Sequence, residues 1–117
     1  MAFRDVGNPP LHSTGVGSSA IGVNASSGAI VAAIVGLQDR LYEVRFAVGA
    51  DTVAYWKLQH TSSGGTVKDQ KVVFTGTNGS AEFVFLYKAD REDIFRIAPA
   101  AAIGSSYAAQ IQAEVYS

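Results

Sequence analysis

The stretch "LYKADREDIFRI", residues 86 to 97, crowds Asp90, Arg91, Glu92 and Asp93 between two apolar runs. A short loop rich in carboxylate oxygens is where a hard cation would bind, since calcium takes roughly six to eight oxygen ligands. The spacing here matches no EF-hand: no glycine stands at the sharp-turn position and no glutamate closes the loop. Lys88, Arg91 and Arg96 lie close enough in sequence to neutralise the acids. The stretch therefore reads as a solvated or salt-bridged turn, and no metal is expected there. Hydrolysis by two carboxylates needs a pair set across a cleft, one of them with a raised pKa. The other candidates, Glu43, Glu82 and Glu114, fall on the polar faces of predicted strands, where surface charges belong.

Other chemistry fares no better. His12 and His60 are too few and too far apart for a zinc site, which takes three or four protein ligands. Serines are many, yet no GxSxG elbow accompanies them. The glycine-rich stretches "GTNGSAEF" and "SSGGT" are not a phosphate loop, and no predicted helix follows to offer its N-terminus. No catalytic set, cofactor or nucleotide site is expected. Tyr55 and Tyr87 lie opposite in parity to Trp56 and Leu86, so exposed rings that would suit a sugar-binding platform are one reading of them. Core or subunit-interface packing is the other, above all for Trp56, which shares a face with Ala54 and Leu58.

The elements that would position these side chains are strands. Residues 1–28 are more than half Gly, Ser, Thr, Asn and Pro and show no sustained period, so they read as an extended arm preceding a domain at 29–117. Phe3, Val6, Leu11 and Val16, with Arg4 and His12 beside them, are the anchors expected of a docked arm. A disordered tail, or a first strand of the domain itself, is the alternative. Beyond the arm, seven apolar runs of strand length recur with turn signals between them, the pattern of an all-β sandwich. "AIVAAIVG" reads as a strand buried on both faces. "LYEVRFAVG" places Tyr42, Val44, Phe46 and Val48 on one face, and with "VAYWKLQH" it is expected to form a hairpin through "GADT". After "KVVFTG", Asn78-Gly79 signals a second hairpin, returning as "EFVFLYK". "IFRIAP" and "YAAQIQAEVY" complete the set.

With 117 residues the chain is one domain in size, and without cysteine its stability must come from packing and pairing or from association. Nine basic and ten acidic residues give a net charge of −1 and no basic field for phosphates, so nucleic acid is not an expected partner. The most apolar run, "GAIVAAIVGL", falls short of the roughly 20 residues that cross a bilayer. No basic segment leads into an apolar one at the start of the chain. A soluble, unprocessed protein with no membrane partner is expected.

The strands "LYEVRFAVGADTVAYWKLQHTSS", the segment "KVVFTGTNGSAEFVFLYKADREDIFRI" and the ending "SSYAAQIQAEVYS" resemble small β-sandwich virion proteins of tailed bacteriophages, over roughly residues 37 to 117. The resemblance implies an antiparallel, jelly-roll-like sandwich in the virion. Its implied role is that of a non-enzymatic capsid decoration (cement) protein, which binds the major capsid protein on the outer surface of the head as a homo-oligomer, commonly a trimer. In that setting Phe3, Arg4, Val6, Leu11, His12 and Val16 are the expected capsid or subunit contacts. A carbohydrate-binding or host-adhesion sandwich is the alternative.

Overall fold

The computed structural model describes residues 16–116. Eight strands follow one another: β1 (Val16–Ala25), β2 (Ala32–Ile34), β3 (Arg40–Ala50), β4 (Ala54–Thr61), β5 (Val67–Thr75), β6 (Gly79–Ala89), β7 (Ile94–Pro99) and β8 (Ile103–Val115). They form two antiparallel four-stranded sheets, in the orders β1-β8-β3-β6 and β2-β7-β4-β5. The chain changes sheet at every connection except β4 to β5. Eight strands wound in this way make a jelly roll, the all-β sandwich that the alternating runs foretell.

The alternation works as read. In β3, Tyr42, Val44, Phe46 and Val48 face the other sheet and are buried, as are Ala54, Trp56 and Leu58 of β4. Phe95 and Ile97 of β7 and Ile111 of β8 join them in the core. Trp56 donates its indole N–H to the Thr75 hydroxyl at 3.0 Å, which satisfies the one polar atom that so large a buried ring brings inside.

Four expectations are corrected. β3 and β4 are not a hairpin: β3 lies between β8 and β6, and β4 lies between β7 and β5 in the opposite sheet. Asn78-Gly79 does turn the chain, with Asn78 at φ 52°, but β5 pairs with β4 and β6 with β3, so the turn carries the chain across the sandwich. The hairpin is instead β4–β5, through the polar loop that begins at Ser62. "AIVAAIVG" supplies only the three-residue edge strand β2, and its Ile30 and Val35 are exposed rather than buried on both faces. Lastly, residues 16–25 of the expected arm run antiparallel along β8, from Val16 opposite Ala113 to Ala25 opposite Ile103. For that portion the alternative, a first strand of the domain, describes the chain.

The crossings meet at one end. The Asn78 N–H donates to the Asp51 carbonyl at 3.0 Å and the Asp51 N–H to the Ser106 carbonyl at 3.0 Å, which ties the β5–β6 and β3–β4 corners to the start of β8. Gly49 sits where these corners close, and a Cβ there would lie 2.9 Å from the Gly79 carbonyl oxygen.

Candidate functional site

The acidic stretch joins β6 to β7, and its residues divide by burial. Asp90, Arg91 and Glu92 are exposed, as a solvated turn requires, and Glu92 takes a positive φ of 69°. Asp93 does not follow them: it is 2% exposed and is turned into the end of the sandwich. Its Oδ2 meets His60 Nε2 at 2.8 Å, accepts from Lys68 Nζ at 2.7 Å and accepts from the Asp90 N–H at 2.8 Å. Lys68 also donates to Asp90 Oδ2 at 2.7 Å. A buried carboxylate needs such a set, because desolvation without partners would neutralise it. Burial acts to raise the Asp93 pKa, but the hydrogen bonds from Lys68, Asp90 and His60 outweigh it and hold the carboxyl below its ordinary value.

His60, at 4% exposure, has its ring between Phe95 and Tyr87, with centroids 4.9 and 5.3 Å away. A second set adjoins it. Tyr87 donates to Asp69 Oδ2 at 2.7 Å, Lys71 donates to the same oxygen at 2.8 Å, and the Lys71 ammonium lies 4.7 Å from the centre of the Phe85 ring. The hydrogen bonds from Lys71 and Tyr87 lower the Asp69 pKa, while burial and the Asp69 contact raise that of Tyr87.

A histidine held by a buried carboxylate is part of a hydrolytic triad only when a nucleophile bonds the histidine's other nitrogen. Among the described residues no serine or threonine hydroxyl hydrogen-bonds to His60, and no group of three or more His, Asp or Glu side chains is arranged for a metal. The arrangement therefore acts as a latch: β4 supplies His60, β5 supplies Lys68, and together they clamp the first residue before β7.

The outer faces of the sandwich are the remaining candidates. On β2-β7-β4-β5, Tyr55 and Phe74 lie 5.4 Å apart by ring centroid, 48% and 55% exposed, with Val53 and Val72 beside them also exposed. Beyond the Lys57–Val72 rung of the same face runs a polar ladder, in which Arg96 donates to Gln59 at 2.6 Å and Gln59 to Gln70 at 2.6 Å. On β1-β8-β3-β6 the outward side chains include Ile21, Val23, Leu41, Val84 and Leu86, and a shallow open depression lies over Ser19, Ala47, Gly49, Ser80 and Ala108.

Of the two tyrosines expected to be exposed by parity, Tyr55 is, whereas Tyr87 faces inward and Leu86 is the exposed neighbour. Phe3, Arg4, Val6, Leu11 and His12 lie outside the described residues, and Val16 is the first residue of β1. Sequence reading missed His60–Asp93 and Phe74. The parity of "KVVFT", with Val72 and Phe74 on one side and Val73 and Thr75 on the other, carried the signal for the latter.

No protein-family model matches the chain, and no curated protein does. Among solved structures the fold is similar to the globular domain of zebrafish complement 1qA protein, at 12% identity and a TM-score of 0.56 over 82% of this chain and 94% of that one. It is also similar to the PRD1 vertex protein P5, at 12% identity and a TM-score of 0.53 over 86% of this chain and 96% of that one. At such identity the likeness is one of fold.

Proposed function

We propose that this chain is a structural protein of a phage particle, which decorates the outer surface of the head by binding the major capsid protein as a homo-oligomer. The observation that carries the reading is the apolar surface left on the outer faces of both sheets: Leu41, Val84 and Leu86 on one, Val53, Tyr55, Val72 and Phe74 on the other. Large exposed apolar side chains gathered on a sheet face mark surfaces that meet other macromolecules. The likeness of fold to a phage vertex protein supports a place in a virion, as does the resemblance of the β3–β8 sequence to small phage sandwich proteins. Weak contacts repeated at fixed spacing over a capsid lattice combine into strong retention, so no single high-affinity site is required.

The test is co-sedimentation with phage heads that lack the protein, comparing the full chain with a chain starting at Val16. Truncation at Gly28 is unsuitable because it removes β1. Binding by the full chain that weakens in the shorter one assigns capsid contacts to residues 1–15. Absence of binding by either chain counts against decoration.

The exposed Tyr55–Phe74 pair, on the same sheet face as Lys57, favours one second reading, a carbohydrate-binding or host-adhesion module, since exposed aromatic faces suit sugars. Glycan-array hits that vanish in Tyr55→Ala and Phe74→Ala would support it.

A further inference from the structure

Strand β6 runs eleven residues and pairs with β3 alone among the described residues, none of which pairs with its other edge. A long, unprotected edge is a template for another strand, with a row of free N–H and C=O groups. Its side chains favour a particular partner. Outward it carries Ser80, Glu82, Val84, Leu86 and Lys88, and inward Ala81, Phe83, Phe85, Tyr87 and Ala89.

Laid antiparallel against a second copy about a two-fold axis at Phe85, the strand pairs with itself residue by residue. Glu82 falls opposite Lys88, Val84 opposite Leu86, Phe83 opposite Tyr87, and Ala81 opposite Ala89. Charge meets opposite charge and apolar meets apolar, twice each by symmetry. Moving the axis to Val84 sets Glu82 against Leu86, and moving it to Leu86 sets Glu82 against Asp90. Placing it between residues sets inward side chains against outward ones, which a continuous sheet forbids.

Among the described residues Glu82 and Lys88 are held only by exposed contacts. Glu82 lies 3.6 Å from Arg45, with side-chain exposures of 57% and 48%, and Lys88 contacts Asp39, with 62% and 69%. Such contacts contribute little and exchange readily. Val84 and Leu86, 44% and 53% exposed, stand between the two charges.

We infer that β6 is a self-recognition edge, through which two copies of this chain join antiparallel about a two-fold axis at Phe85 and fuse their four-stranded sheets into one of eight strands. The inference stands independently of the proposed function, because the contact forms between copies of the purified chain. A two-fold contact of this kind closes at two chains.

Sedimentation velocity on the full chain at low salt tests it with Glu82→Lys and Lys88→Glu. Each variant alone puts like charges across both pairs and should weaken the association roughly tenfold. In an equal mixture of the two variants every pair is again glutamate opposite lysine, so association returns to the wild-type level, as it does in the doubly swapped chain. Both positions are exposed, and unchanged thermal unfolding of the variants confirms that the fold is intact. A monomeric wild-type chain, single variants that associate as wild type does, or a mixture that stays dissociated would each overturn the inference.

Discussion

Asp93 is the residue on which the acidic turn depends. Substituting Asp93→Ala strands the buried His60 and removes one of the two acceptors of Lys68, and breaking a buried pair in this way costs about 3 kcal/mol. Asp90→Ala, at a side chain 70% exposed, should stay within about 0.5 kcal/mol of wild type, so urea unfolding of the two variants separates latch from turn. The same contacts set a pH dependence. Asp93 and Asp69 have folded pKa values below the ordinary one, about 3.9, so each binds protons more readily when unfolded. Their contribution is full above that ordinary value and is lost as the pH falls through the lower, folded one. Thermal unfolding followed from about pH 6 down to about pH 2 should show this loss, less steeply in Asp93→Asn. Tyr87 acts in the opposite sense, because its raised pKa contributes stability that is lost on the alkaline side. The sequence placed four charges in a turn, but it contained nothing to tell Asp93 from Asp90. Which carboxylate turns inward depends on the His60 and Lys68 brought up by other strands.

Elements were read well where the cause is local and poorly where it is not. Alternation in "LYEVRFAVG" and "AYWKL" gave the buried faces correctly, because a half-buried strand needs nothing beyond a period of two. Pairing is different. Asn78 and Gly79 state that the chain turns, and a turn of the same chemistry serves a hairpin or a crossing between sheets. In this fold the choice is made by the corners that Asp51 and Ser106 tie together. Gly49→Ala tests that account, since its Cβ would press on the Gly79 carbonyl at 2.9 Å; a loss of about 1–3 kcal/mol is expected in chemical unfolding. Thr75→Val, which leaves the Trp56 indole N–H buried without an acceptor, should cost a similar amount. Strand β1 was legible only as the alternative to an arm, for a related reason. "VGSSAIGVNA" is rich in small and polar residues, and its backbone pairing with β8, rather than any apolar period, makes it a strand.

At the scale of the whole molecule, the last strand lies in the middle of a sheet: β8, residues 103–115, runs between β1 and β3. All its pairing partners precede it by more than fifty residues, Val16 pairing with Ala113 and Tyr42 with Val115. The sheet β1-β8-β3-β6 therefore cannot close until Ile103–Val115 is in place, and until then β1 lacks the one strand it pairs with among the described residues. Such sequence-distant pairing also slows folding, into the range of milliseconds to seconds for all-β domains. Stopped-flow refolding should show that slow phase, and a chain ending before Ile103 should fail to fold. Without β8, both β1 and the β8-facing side of β3 are open edges, so any assembly that uses this sheet requires β8 to be seated first.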